Sequence, residues 1–591
     1  MERNPLLRES DVQFLLREVF EVGRLCELER FSHLDLETFE LYISAARTLA
    51  RTRLYPVYRE MDEHPPLFDG ARVATHSKMA ACYDQLAELG VLVASRPEDV
   101  GGAALPQTIV TVANLYLMAA NAGAAGFPLL TAGAAHLVEA FGDDETRALF
   151  MRPMYDGEWT GTMALTEPHA GSSLAEISTR ATPRPEGRYD IRGNKIFISG
   201  GDHDLRPNIV HMTLARIEGA APGIKGVSLF AVPRLRPEGE NLVPNDVHTT
   251  QLIHKVGWKA LPSVALNYGE NDDCIGWLIG EPGAGLSYMF QMMNEARLMV
   301  GANGIATASV AYFAALDYAK TRQQGRPLSN STATSSARIV EHPDVRRMLL
   351  RQKAIVEGGT ALLVQTGIYA DHAAAASSKQ RARAAGVLDI LTPVAKSFPA
   401  EWGFEANSLA LQIFGGYGYT TEYMPEAWLR DQRLNSIHEG TTGIQGLDLL
   451  GRKVVARGGE GLRALLEEIH GCIHHARSHE PLLVHADALA KACEQLATTT
   501  GVLAGRGATG DVIGMLAHSD NYLRSACVIL VAWMWLKIAT AAALHQPSDF
   551  SRGKLAACDY WFGEELPRVA NWLTNCERVE SSFLNVSPES L

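Results

Sequence analysis

The stretch Tyr189–Ser199, YDIRGNKIFIS, marks a change in the texture of the chain. β-branched and aromatic residues flank Arg192-Gly193-Asn194, which predicts two short strands around a turn. Working outward, Asn208–Ile217 (NIVHMTLARI) and Gly226–Pro233 (GVSLFAVP) have the same β-rich composition, and strand-like segments continue to Leu278. Short strands at this spacing predict a compact β-barrel or sandwich.

The segments on either side read as helix. Ser10-Asp11-Val12-Gln13 has the spacing of a capping box and predicts a helix carrying Phe14, Leu15, Val19 and Phe20. Ala and Leu dominate Val110–Gly126, and Pro128 and the glycines punctuate rather than end the domain. Helical texture returns at Leu286, with Gly283 and Gly285 at the boundary. Ser329–Ser336 (SNSTATSS) reads as a polar loop. The alanines of His372–Ala376 favour helix over linker. Beyond Lys453 a further helical block runs on. The expected fold class is α+β, mostly helical, in four parts: 1–160 helical, 161–282 β, 283–454 a helical bundle and 455–591 additional helices.

A chain of 591 residues with 47% hydrophobic and 20% charged residues is ordinary globular material with ample length for a large core. A net charge of −13 opposes nonspecific nucleic-acid binding as the main task. Eight scattered cysteines show no CxxC pair and no zinc spacing, so no metal site is expected and a reducing, cytoplasmic setting fits. The N-terminal residues mix both charge signs and resemble neither a signal nor a transit peptide. In Cys527–Leu544 the apolar run breaks at Lys537, which predicts a buried helix rather than a membrane span.

Four motifs bear on chemistry. Gly505–Gly510 matches GxGxxG but lies in helical texture, without the preceding strand that a dinucleotide fingerprint requires. Met163–Ser173 (MALTEPHAGSS) offers hydroxyls and small residues for close ligand approach, or a self-capped loop. Gln412–Asp431 (QIFGGYGYTTEYMPEAWLRD) holds glycines that admit a phosphate or simply cap a helix, and Arg430 and Asp431 read as structural ion-pair residues. Ile437–Gln445 (IHEGTTGIQ) places one carboxylate, Glu439, where no Lys or Arg occurs between Arg433 and Arg452. It is either a surface turn or a base in a poorly solvated pocket.

Together, MALTEPHAGSS, QIFGGYGYTTEYMPEAWLRD and IHEGTTGIQ resemble the acyl-CoA dehydrogenase family in order and spacing, over roughly Leu105–Arg452. The extra segments at both ends resemble its large bacterial branch, which includes enzymes acting on fatty acyl-CoA and on 3-methylmercaptopropionyl-CoA. The resemblance implies a helical domain, a β-domain and a helical bundle, with FAD between the β-domain and the bundle. It implies α,β-dehydrogenation of an acyl-CoA thioester in β-oxidation, with Glu439 as the base and hydride passing to flavin N5. It further implies electron-transfer flavoprotein as acceptor.

By motif match, Met163, Leu165, Thr166, Gly171, Ser172, Phe197, Ser199 and Thr441 would contact FAD; many relatives carry Trp and Thr where Phe197 and Ser199 stand. Arg322, Gln412, Gly415 and Gly416 would reach the FAD of a neighbouring subunit, which implies a homodimer or a dimer of dimers. Ser172, Asn294, Arg297 and Gly440 would lie on the substrate side. His438 stands where a bulky residue is common; packing is its expected role and tuning of Glu439 the alternative. An oxidase is the neighbouring enzymatic alternative. A DNA-binding, alkylation-response relative is the alternative from another class, and 11 Lys/Arg against 15 Asp/Glu in Val455–Leu591 oppose it.

Overall fold

The structure is a computed structural model that describes residues 4–239, 241–327, 335–579 and 581–591. The chain divides into two compact units. One comprises Glu37–Leu105 and Val112–Met299; the other comprises the described part of the first 36 residues, Pro106–Thr111 and Val300–Leu591. The polar loop read at Ser329–Ser336 lies largely outside the described residues.

Helix α1 (Glu9–Phe14) begins two residues earlier than the capping box requires. Its N-cap is Arg8, without a side-chain cap, so Ser10 lies inside the first turn and the expected box is not formed. Helix α2 (Leu36–Leu49) follows, then two-residue strands β1 (Leu67–Phe68) and β2 (Val73–Ala74), which form a small hairpin inside a segment read as all helical. Helix α3 (Gln107–Phe141) runs through Pro128 but breaks its dihedrals at Asn121 (φ −164°, ψ 91°), where two helices join across a kink.

Strands β3 (Thr160–Ala164), β4 (Arg180–Pro183), β5 (Arg188–Ser199), β6 (Ile209–Ile217) and β7 (Val227–Pro233) come next. They are followed by β8 (Leu235–Glu238), β9 (Asn241–Pro244), β10 (Val247–Leu252), β11 (Ser263–Tyr268) and β12 (Ile275–Ile279). The main sheet runs β10-β11-β5-β12-β7-β6-β3, and β4 pairs with both β5 and β6. Strands β4, β5, β12, β7 and β6 therefore close a ring, as in a barrel, while β10 and β3 remain edge strands. Ala181, Ile191, Ala215, Phe230 and Val232 form one fully buried cluster on these strands.

The deciding stretch is one 12-residue strand, β5, not two strands about a turn. It pairs with β4, β11 and β12, so ladder hydrogen bonds carry the backbone straight through Gly193. Glycine is needed there because a Cβ would lie 2.5 Å from Thr179 Oγ1 and 2.8 Å from Thr179 Cα.

The second unit is helical. Its long members are the C-terminal part of α4 (Gly285–Thr321), α5 (Pro343–Ala375) and α6 (Ser378–Phe414). They pack through small residues: a Cβ on Gly301 would lie 2.1 Å from Ala395 O, and one on Gly359 2.2 Å from Ile305 Cδ1. His372–Ala375 is helical as expected, but it closes α5 rather than opening a new segment. Helices α7 (Pro425–Arg433), α8 (Thr442–Asp448), α9 (Glu460–Ala476) and α10 (Leu483–Ala508) follow. After them come α11 (Ser519–Ala543), α12 (Asp549–Tyr560) and α13 (Arg568–Arg578).

Gly505 and Gly507 lie in the last turns of α10, so the GxGxxG match is a helix end and not a strand-to-helix turn. The segment Cys527–Leu544 belongs to α11, whose Trp533 and Trp535 are buried. Among the described residues, three helical stretches, Gln107–Phe141, Gly285–Thr321 and Val512–Ala543, are long and apolar enough to cross a membrane, yet 83–94% of their apolar windows is buried within the chain. All eight cysteines are free thiols.

Candidate active site

In the first unit, the Met163–Ser173 loop leaves the end of β3 and is joined to β5. Ile196 N–H donates to Thr166 O at 2.9 Å, and Gly193–Ser199 carries the matching flank, with Thr162 Oγ1 donating to Ser199 O at 2.5 Å. Thr166, Phe197 and Ser199 are thereby brought together. Phe197 is 61% exposed and has φ 60°. A bulky residue in left-handed backbone costs about 1–2 kcal/mol, and such strain concentrates at functional positions. Gly171 has open space around it, and Ser172 is exposed. Met163 and Leu165 are more buried and pack with the Leu214–Leu229 cluster.

The loop is held from behind by a buried pair that sequence reading did not single out. Lys195 Nζ donates to Glu167 Oε1 at 2.9 Å, to Leu165 O at 3.0 Å and to Leu214 O at 2.8 Å. The other donors to the Glu167 carboxylate are the N–H and hydroxyl groups of Ser178 and Thr179. Burial alone would raise the Glu167 pKa; Lys195 and these donors hold it down to about 2. Burial pulls Lys195 down to about 8 against the attraction of Glu167. The loop is preorganised, with an exposed aromatic ring, hydroxyls and open backbone on its outer side. That donor set fits a flat, partly apolar cofactor bearing phosphates.

Further along this unit, Arg297 is buried and donates from Nη1 to Asn294 Oδ1 at 3.4 Å. The two residues assigned to the substrate side on α4 therefore sit together.

In the second unit, Glu439 lies between the turn Leu434–Ser436 and α8. It is half-buried, with φ 56°, and Gly440 follows at φ 87°. Thr441 is the N-cap of α8, its hydroxyl accepting from Ile444 N–H at 3.3 Å. Thr442 donates its hydroxyl to Glu401 on α6. His438 Nδ1 lies 2.9 Å from Leu434 O, a hydrogen bond one turn back. Gly446 allows α8 to reach α11, since a Cβ would lie 2.7 Å from Ser519 O.

The sequence shows no cation near Glu439, but the tertiary structure supplies one to its turn. Lys396, fully buried on α6, donates to Gly440 O at 2.9 Å. Gln445, also fully buried, donates to Glu439 O at 3.0 Å. The signal for Lys396 was present in the sequence as a lone lysine in the apolar run LTPVAKSFP.

Gly415 is the C-cap of α6 at φ 61°, and both Gly415 and Gly416 face open space. Gln412 is exposed one turn earlier. Tyr318 stacks on Phe414 with ring centroids 4.3 Å apart, which brings the end of α4, and with it exposed Arg322, to the end of α6. Arg430 pairs with Glu426 at 2.7 Å, one turn back on α7, where the sequence suggested Asp431 as its partner.

Family models match nearly the whole chain: "Acyl-CoA dehydrogenase, N-terminal domain" at residues 37–158, the middle domain at 162–269, and the C-terminal domain at 283–454. "Acetyl-CoA dehydrogenase C-terminal like" matches 465–587. A 3-methylmercaptopropionyl-CoA dehydrogenase of Ruegeria pomeroyi is 38% identical, covering 78% of each chain. A butyryl-CoA dehydrogenase of Syntrophomonas wolfei is 31% identical over 99% of each. An acyl-CoA dehydrogenase structure from Bacillus anthracis, described as complexed with FAD, superposes with a TM-score of 0.75 at 20% identity, covering 95% of this chain and 91% of that one. The chain belongs to the acyl-CoA dehydrogenase family.

Proposed function

We propose that this protein is an FAD-dependent dehydrogenase that converts an acyl-CoA thioester to the trans-2-enoyl-CoA, with Glu439 as the base that takes the α-proton. The observation that carries the proposal is the Glu439 backbone: a carboxylate-bearing residue held at φ 56° beside Gly440, with two buried side chains fixing the carbonyls of the turn. Strain of this kind persists only where its surroundings over-determine it.

An α-proton of a thioester is a weak acid. Its removal needs a base that is poorly solvated and fixed donors for the charge that develops on the thioester oxygen. Glu439 is half-buried and supplies the carboxylate; its own N–H is the proposed donor to that oxygen. When bound, FAD supplies the acceptor for the hydride leaving Cβ. Thr166, Ser172, Phe197, Ser199 and Thr441 would hold the cofactor, with Met163, Leu165 and Gly171 shaping its approach. Arg322, Gln412, Gly415 and Gly416 would reach the cofactor of a neighbouring subunit, in a homodimer or a dimer of dimers. Asn294, Arg297, Gly440 and Ser172 would serve the CoA thioester.

The electrons pass to electron-transfer flavoprotein, and the pathway role is β-oxidation in the cytoplasm. Short unbranched acyl chains are the proposed substrates, supported by the butyryl-CoA dehydrogenase relative. The 38% identical relative favours a second reading, 3-methylmercaptopropionyl-CoA.

The test is anaerobic bleaching of the flavin across a panel of acyl-CoAs from short to long, with 3-methylmercaptopropionyl-CoA included. Rapid bleaching by one class names the substrate. Glu439→Gln should bind FAD and fail to bleach; fast bleaching by that variant removes Glu439 as the base. Peroxide formed at the rate of turnover in air would make the enzyme an oxidase.

A further inference from the structure

We infer that Lys396 and Gln445 are positioning residues for the reaction proposed above, holding the Glu439–Gly440 peptide in its reactive conformation. The inference rests on the assignment of Glu439 as the base.

Lys396 lies on α6, between Ala395 and Ser397, with none of its surface exposed. Burying an ammonium is costly unless acceptors surround it. One acceptor is Gly440 O, 2.9 Å from Nζ. Gln445, on α8, reaches back to the same turn from the other side. Its Nε2 donates to Glu439 O at 3.0 Å and to Gly440 O at 3.4 Å. Among the described residues, its Oε1 is buried without a hydrogen-bond partner. The amide thus serves the two carbonyls at the expense of its own acceptor, a cost that ordinary packing would have avoided.

These bonds fix two consecutive carbonyls. A trans peptide is planar, with its C=O and N–H pointing in opposite directions. Anchoring Glu439 O therefore turns the Gly440 N–H away from Gln445. Anchoring Gly440 O turns the Thr441 N–H away from Lys396. The φ of 56° at Glu439 and of 87° at Gly440 cannot relax toward ordinary backbone without breaking these bonds. A Cβ on Gly440 would meet Gln445 Nε2 at 2.7 Å, so any other residue there would displace the clamp.

Lys396→Met keeps the volume and removes the charge and the donor. In the FAD-loaded enzyme, the limiting rate of flavin reduction should fall by about 100-fold, the loss expected for misplacing a reacting group by about 1 Å. Flavin content and the dissociation constant for acyl-CoA should stay at wild-type values, and the amides of His438–Thr441 should exchange faster with deuterium. Lys396→Arg, which keeps a cationic donor, should recover part of the rate. A wild-type rate in Lys396→Met overturns the inference. So does a parallel loss of flavin, acyl-CoA affinity and melting temperature, which would mean a purely structural lysine. If Lys396→Met does not fold, Gln445→Met carries the same test with the same outcomes. Glu439→Gln is measured beside them. A fast Glu439→Gln removes the base, whereas an inert Glu439→Gln with an unimpaired Lys396→Met removes only the clamp.

Discussion

Lys195 on β5 and Glu167 in the β3–β4 loop form a fully buried ion pair, Nζ 2.9 Å from Oε1. The pair ties the loop that carries Thr166 and Ser172 to the strand that carries Phe197 and Ser199. Buried pairs of this kind are poor stabilisers relative to an apolar pair but costly to break singly, because the survivor is left charged and alone.

Lys195→Met should therefore destabilise the protein by about 3–5 kcal/mol. FAD affinity should weaken because the loop loses its anchor. Urea unfolding of the apo-protein reports the first effect and flavin titration the second. The double variant Lys195→Met/Glu167→Gln should recover much of the stability, and its failure to do so would argue against an uncompensated charge as the cause.

Gly440→Ala tests the turn directly. Alanine at φ 87° is strained, and its Cβ would sit 2.7 Å from Gln445 Nε2. The left-handed backbone alone costs about 1–2 kcal/mol. The expected result is a folded protein with flavin bound and a rate of flavin reduction lowered at least about 10-fold. An unchanged rate would show that the geometry of this turn does not limit the reaction.

His438→Phe separates packing from tuning. The Nδ1 contact to Leu434 O closes the turn before Glu439. Its loss should cost about 1 kcal/mol and leave the shape of the pH–rate profile unaltered. A displaced limb in that profile would assign His438 an electrostatic role in setting the base.

Asp371 on α5 predicts a pH dependence of stability. It is buried and accepts from Gln107 N–H at 2.6 Å, and from the Thr108 N–H and hydroxyl at 3.0 and 2.6 Å. Burial raises its pKa from 3.8 to about 6 despite those donors. The folded state therefore binds this proton more tightly than the unfolded state does. The contribution is fully present below pH 4 and is lost as pH rises toward 6, about 3 kcal/mol at ~1.4 kcal/mol per unit. Asp371→Asn cannot titrate. The stability difference between wild type and variant, from urea unfolding at pH 4.5 and 6.5, should move toward the variant at the higher pH; a constant difference would mean that Asp371 is ionised throughout.

Most of the fold was legible because periodicity and composition are local. Strands β6 and β7 lie within a residue of where their β-branched patterns place them, and α11 is the buried helix that its apolar run indicated. The errors came where a partner overrides the local signal. Gly193 reads as a turn, yet its pairing with Tyr268 on β11, and that of Tyr189–Arg192 just before it with β4, keep the strand continuous. Ser10 reads as a cap, yet the helix starts at Glu9. The closure of the strand ring through β4 depends on pairing between segments far apart in sequence, which local patterns do not record.

By itself the sequence determined the order of helical and β segments, the family signature and the carboxylate at Glu439, because motif residues lie in contiguous stretches. Only the tertiary structure decided how those stretches are held. Lys195 reaches Glu167 across 28 residues, and Lys396 reaches Gly440 across 44. Each is a buried charge placed against an acceptor, and desolvation makes such a placement tolerable only when the whole fold has brought the partner to it.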